Sequence, residues 1–244
     1  MRLTGFFVLV AGGSWAYLFY QAWQMSHLPM SQMRMPPMAF DAWSAGDLAW
    51  IFGMWAVMMV AMMLPSALPM FAAFTRYGRS SNADTALTLW LAAGYFAVWL
   101  LFCVPLTALQ WLLHSLSWLS PMMENRQPYL AAGMLVLAGS YQFTAFKNIC
   151  LSHCRTPFGF LLQHWQPGGM GALRTGFSHG LHCLGCCWLQ MLLMFAAGVM
   201  NLVAMLMLTA LITLEKTAPV PATRLSAGIG VLLLGLAGYI AVNA

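Results

Sequence analysis

The sequence predicts an all-α, polytopic integral membrane protein, and three observations carry that expectation. Of 244 residues, 61% are hydrophobic and only 6% are charged, where a soluble globular domain carries about 25% charged residues. Mean hydropathy is +0.76. The apolar residues gather into segments matched to a bilayer core about 30 Å thick, which takes roughly 20 helical residues to cross. Five acidic side chains cannot coat a soluble chain of this size.

Taken in order, the expected spans lie near residues 5–23, 47–73, 86–112, 129–147, 181–199 and 224–243. The first has Arg2 ahead of it and the length of a secretory signal. It ends on Tyr17, Phe19, Tyr20 and Trp23 rather than on small cleavage-site residues, which suits a retained helix with an aromatic belt at the membrane interface. The stretch Leu181–Leu214 contains no charged residue and is too long for one untilted span. A break near Gly198-Val-Met-Asn201 would turn six spans into seven. The whole of 1–244 is expected to form a single transmembrane domain, with a Met-rich loop at 23–46 and a Cys/His-containing loop at 148–180. Within the latter, Pro157 and the following Phe158-Gly-Phe-Leu-Leu-Gln-His-Trp165 have the pattern of a short interfacial helix near 157–166, and Pro167-Gly-Gly-Met-Gly171 that of a turn.

Orientation follows the Lys/Arg bias. With the N-terminus inside, Arg2, Arg76, Arg79, Lys147, Arg155 and Arg174 are cytoplasmic, while Arg34 and Arg126 are outside. The sides of Lys216 and Arg224 depend on the span count. The formal charge of +5 is dispersed, so no basic patch suggests a nucleic-acid partner.

The densest chemistry is His179-Gly-Leu-His182-Cys183-Leu-Gly-Cys186-Cys187, placed by the expected spans at the mouth of the fifth. Thiols and imidazoles in hydrocarbon are costly unless they bind, pair or react. On a helix these five residues share one face, within an arc of roughly 140° at about 100° per residue. One helix face cannot enclose a metal. Cys150, His153 and Cys154 form a second stripe at the same spacing, just past the fourth span, and a fold-back of the intervening loop would bring the two together. Thiolate and imidazole suit Cu(I) and Zn(II), and no carboxylate lies in 148–187 to suit Mg, Ca or Mn. His164 reads as an ordinary residue of an amphipathic helix, and Cys103 as a small core hydrophobe.

Methionine shifts the expectation from zinc towards copper, because a thioether suits Cu(I) and suits Zn(II) poorly. Met54, Met58 and Met62 repeat at every fourth residue along the second span, with Met59 and Met63 beside them. The loop adds Met25, Met30, Met33, Met35 and Met38, with His27 among them, in a polar setting where thioethers bury little. Met is also a common core filler. Pro65 and Pro69 in the second span either break the helix at a central site or merely bend it.

The strings Ala61-Met-Met-Leu-Pro-Ser66, Cys150-Leu-Ser-His-Cys154-Arg155, Arg174-Thr-Gly-Phe-Ser-His179-Gly180 and Cys183-Leu-Gly-Cys186-Cys187-Trp188, with Gly198-Val-Met-Asn201 and Glu215-Lys216, resemble the bacterial family known as DUF2182 over most of residues 47–216. That family is described as predicted metal-binding integral membrane proteins. The resemblance implies a bacterial inner-membrane location and a metal site on His179, Cys183, Cys186 and Cys187, with Cys150 and Cys154 as companions. His182 and the Met-rich loop lie outside the matching motifs.

Two functional classes follow. The first is a copper-handling membrane protein that binds, delivers or passes Cu(I), with the bilayer, the metal ion and a metallochaperone or metalloenzyme as partners. The second is a membrane thiol-disulfide oxidoreductase using Cys183/Cys186, a Cys-x-x-Cys pair opening a helix where a thiol gains acidity. A zinc- or haem-binding subunit is a further possibility, though covalent haem is excluded by the lack of Cys-x-x-Cys-His. A hydrolase is disfavoured, and an enzyme of any kind is the weaker expectation. Asp47, Asp84, Glu124 and Glu215 are all expected near span ends, leaving no carboxylate within the membrane to couple protons.

Overall fold

In the computed structural model, which describes residues 2–80 and 85–243, nine helices form the fold among the described residues. Asp84 lies outside them, as do the side chains of Arg2, Met30, Arg76 and Arg79. The helices are α1 (Arg2–His27), α2 (Ala45–Ser80), α3 (Thr85–Ser115), α4 (Pro128–Tyr141), α5 (Ala145–Arg155), α6 (Pro157–His164), α7 (Gly168–Ala197), α8 (Leu202–Thr217) and α9 (Ala222–Val242).

Among the described residues, four helices are long and apolar enough to cross a membrane: α2, α3, α7 and α9. The α4–α5 pair, bent by 68°, makes a fifth if it counts as one span. This is fewer than the six or seven expected. The helix α8 has 16 residues, about 24 Å at 1.5 Å per residue, which is shorter than the hydrocarbon core. The second half of α1 is punctuated by Tyr17, Tyr20, Gln21 and Gln24. The expected span 129–147 is interrupted because Thr144 caps α5, its hydroxyl accepting from the Lys147 amide at 3.3 Å. The expected span 181–199 begins earlier, since helix already forms at Gly168 (φ 79°) behind Pro167, where a turn was expected. The break at Gly198 (φ 97°) stands as expected and separates α7 from α8.

The pairing of α3 with α7 is the most extensive in the molecule, and its closeness has a specific cause. A Cβ on Gly176 would lie 1.9 Å from the Leu91 carbonyl oxygen, and one on Gly94 would lie 2.1 Å from that of Leu173. Only glycine lets these backbones meet, as small residues do between membrane helices. The contact brings Tyr95, next to Gly94, against α7.

Helix α2 runs through Pro65 and Pro69 without a break. Pro65 has no N–H, so the Ala61 carbonyl loses its helical partner. The Trp15 indole N–H of α1 donates to that carbonyl at 3.0 Å. A side chain from a neighbouring helix thus satisfies what the proline released.

Lys147 and Glu215, the latter in the last turn of α8, are both buried. Lys147 is 0% exposed and Glu215 2%. The Lys147 Nζ donates to Glu215 Oε1 and Oε2 at 2.8 and 2.9 Å, and to the Gln142 side-chain oxygen. Glu215 also accepts from Gln190 Nε2 at 2.9 Å and Ser226 Oγ at 3.0 Å. One carboxylate therefore ties α5, α7, α8 and α9 together. Breaking a buried pair leaves a naked charge, which costs roughly 3–5 kcal/mol, while replacing both partners by apolar groups is often neutral. Lys147→Met is expected to lower the thermal unfolding midpoint in detergent strongly, and Lys147→Met/Glu215→Leu to recover most of it.

Candidate metal centre

Cys183 sits 15 residues into the 30-residue α7, about 22 Å from its start. It occupies mid-helix, not the mouth of a span, and Cys183/Cys186 do not open a helix. The added acidity that a helix N-terminus gives a thiol, on which the oxidoreductase expectation leaned, is therefore absent here.

The two stripes do meet. The segment holding Cys150, His153 and Cys154 is the helix α5 rather than loop, and it packs directly on α7. Gly185 makes the approach close, for a Cβ there would lie 2.7 Å from Cys150 Sγ. The Cys154 side chain is close enough to interact with Cys183 and Cys186, and Cys183 with Cys186 and Cys187. Cys183, Cys186 and Cys187 are each at most 2% exposed, while Cys154 is half-buried. No disulfide joins any of them.

Three residues outside the expected ligand set complete this centre. The Lys216 Nζ donates to Cys183 Sγ and to Ser66 Oγ, both at 2.9 Å. The Tyr95 hydroxyl lies 3.0 Å from Cys183 Sγ. Cys183 is thus surrounded by α2, α3, α5 and α8, each contributing a polar or sulfur contact. The signal for Lys216 was present in the Glu215-Lys216 pair, two charges at the end of an otherwise uncharged run. What the sequence did not disclose was that both point inward.

The imidazoles flank the thiols. The His153 and His182 rings lie 4.4 Å apart. Each Nδ1 is within hydrogen-bonding distance of a carbonyl one turn back on its own helix, Ile149 at 2.9 Å and Ser178 at 2.8 Å. A carbonyl only accepts, so Nδ1 carries the proton and Nε2 keeps its lone pair for another partner. His179 is 4% exposed, and its Nδ1 has no hydrogen-bond partner. Phe160 of α6 packs edge-on against all three rings, so the short helix expected near 157–166 forms and serves as a wall. His164 stacks on Phe160 and stands apart from the thiols.

Among the described residues, no three His, Cys, Asp or Glu side chains converge in a geometry ready to hold a metal. The reason is visible in the thiol orientations. Cys186 and Cys187 donate back to the Cys183 carbonyl at 3.1 and 3.0 Å, and the Lys216 ammonium covers one side of Cys183. The sulfurs are gathered but turned onto their own helix.

Met54, Met58 and Met62 are all buried, as are Met59 and Met63. Trp55 of α2 meets Phe195 of α7 with ring centroids 5.2 Å apart. That contact and the Ser66–Lys216–Cys183 link fix the antiparallel register of the two helices. Met191 and Met194, both 0% exposed, continue the Cys183/Cys187 face of α7. Met25 belongs to the last turn of α1 rather than a loop, and Met25, Met33 and Met35 are half-buried rather than exposed. His27 is exposed and stacks on Trp23.

A model of a family described as PpoB2, copper chaperone, matches residues 52–240. The chain belongs to the PpoB2 copper chaperone family. This supports a copper-related function and the metal-related class that the sequence motifs implied. The matched PpoB2 region runs from α2 into α9 and contains every Cys and His of the centre, leaving out α1 and the Met-rich loop. Neither a curated protein nor a solved structure matches the chain.

Exposure predicts an order of thiol reactivity. In folded PpoB2-family protein in detergent, N-ethylmaleimide should modify Cys154 first, while Cys183, Cys186 and Cys187 react fully only after denaturation. Peptide mass spectrometry reads the order, and early modification of Cys183 would contradict the burial described.

Proposed function

We propose that this protein takes up Cu(I) inside the membrane and hands it to a copper-requiring partner protein. The observation that carries the reading is the meeting of buried thiols from two helices around Cys183. Soft sulfur donors select Cu(I) over hard cations. Cys154, Cys183, Cys186 and Cys187 supply the thiolates, Cys150 stands one turn away, and His179 and His182 offer nitrogen at the rim. Binding would release thiol protons and draw Lys216 off the Cys183 sulfur, so that the ammonium and Cu(I) alternate at one place. The stripe of Met54, Met58 and Met62 then offers thioethers along which the ion exchanges ligands without a change of charge. The family membership favours delivery over storage.

The same reading places seven crossings in the bilayer: α1, α2, α3, the bent α4–α5 pair, α7, a short α8, and α9. Loops 28–44 and 116–127 and the 198–201 corner then share the outer side. The segments bearing Arg155, Arg174 and Arg224 share the inner side, with Arg76 and Arg79 counted there from the sequence. Lys147 and Lys216 are buried and drop out of the charge count.

Two measurements test these readings. Anaerobic Cu(I) titration and elemental analysis should give copper in the purified wild type and at least a tenfold loss of affinity at the thiol cluster in Cys183→Ser/Cys186→Ser. Equal copper in both would refute the site. For topology, a membrane-impermeant maleimide applied to intact cells should label Asn125→Cys, and should label Gln166→Cys only after permeabilisation. The reverse pattern would overturn the orientation.

A further inference from the structure

A second group of sulfur atoms lies apart from the thiol cluster. It sits where the end of α1, the 28–44 loop, the 116–127 loop and the α7–α8 corner come together. A cavity of about 240 Å³ there is lined by Met25, Met33, Met35, Met123 and Met200. An adjoining cavity of about 260 Å³ shares Met25, Met123 and Met200. These thioethers come from four separate segments, so no helical periodicity gathers them. The fold does so with specific contacts. The Val199 amide donates to the Met123 carbonyl at 3.0 Å, and the turn at Gly198 delivers Met200 to the same place. Met123 holds φ at 61°, a left-handed conformation that costs an L residue roughly 1–2 kcal/mol. Its side chain is nevertheless 1% exposed and directed to this cavity.

Packing alone does not explain the arrangement. Methionine is the most adaptable filler of voids, and protein interiors close-pack. Five flexible thioethers that enclose open space have not been used to fill it. The lining also includes the amides of Gln21, Gln24 and Gln32 and the guanidinium of Arg34, which is held by Asp47 at 3.0 Å. Glu124 lines the adjoining cavity. Trp50 of α2 also lines the cavity, and Met54, one turn on, begins the stripe that leads to Ser66 and the thiol cluster. Trp50 and Ser66 are 16 residues apart, about 24 Å along the helix.

We propose that this cavity is an all-thioether capture site for Cu(I), separate from the thiol cluster and upstream of it. The proposal rests on the copper reading above and adds Met123 and Met200, on segments far from the Met-rich loop, as ligands. Thioethers carry no proton, so a soft ion binds them without proton release, whereas thiol ligands must be deprotonated. At about pH 5, under the ordinary thiol range, protons compete with a soft ion for thiols but not for thioethers.

The test uses the full chain in detergent, labelled at the methionine methyl carbon, with silver nitrate as a redox-inert probe for Cu(I). In Cys183→Ser/Cys186→Ser at about pH 5, one silver ion per chain should still bind and should shift the methyl resonances of Met123 and Met200, assigned by their loss on substitution. Met123→Leu/Met200→Leu should weaken acid-pH silver binding at least tenfold and leave binding at neutral pH to the thiols in place. Met33→Leu/Met35→Leu, on the loop side, should weaken the same phase and guards against misfolding of the first variant. Unmoved Met123 and Met200 methyls, or wild-type acid-pH affinity in both methionine variants, would overturn the site. Absence of a neutral-pH thiol phase from the wild type, with the acid-pH phase intact, would refute the reading of the Cys183 cluster and leave this site standing.

Discussion

The ion pair between Lys147 and Glu215 is the constraint on which the interior depends. Two charges removed from water are stable only when each finds its full set of partners, and here Gln142, Gln190 and Ser226 complete the set. Satisfying one carboxylate fixes four helices relative to one another. The next residue of α8, Lys216, must then point about 100° away, towards α2 and α7, where it meets Ser66 and Cys183. The position of the thiol cluster is in this sense set by electrostatics one residue away from it.

Close backbone approach supplies the second half of the architecture. Without a hydrophobic drive between helices inside lipid, packing and hydrogen bonds decide which faces meet. Gly94 and Gly176 bring α3 onto α7, and Gly185 brings α7 onto the sulfur of Cys150. Two of these glycines adjoin a residue of the candidate centre. Tyr95 follows Gly94, and Cys186 follows Gly185. Cys183 is then enclosed on all sides while Cys154 keeps partial contact with the exterior.

Hydropathy and length made α2, α3 and α9 readable, because a membrane imposes a single period of apolar residues on a helix. The break at Gly198 was readable for the same reason. The corner at Gln142–Thr144 was not, since capping by one threonine is a weak signal inside an apolar run. The pairing of the two Cys/His stripes was legible as helical spacing in both segments. The environment of Cys183 was not: Tyr95, Ser66 and Lys216 are 88, 117 and 33 residues away in the chain, and no spacing ties them to it. The burial of Lys147 and Glu215 was not legible either, because the two partners lie 68 residues apart in the sequence.

The bond from Trp15 to the Ala61 carbonyl gives α1 a role that its place outside the matched region would not suggest. Pro65 opens a gap in the backbone bonding of α2 at the level of the methionine stripe, and α1 closes it from outside. The first helix acts as a splint. It lets α2 carry a proline, and the flexibility that comes with it, beside the buried thioethers without leaving a bare carbonyl in hydrocarbon.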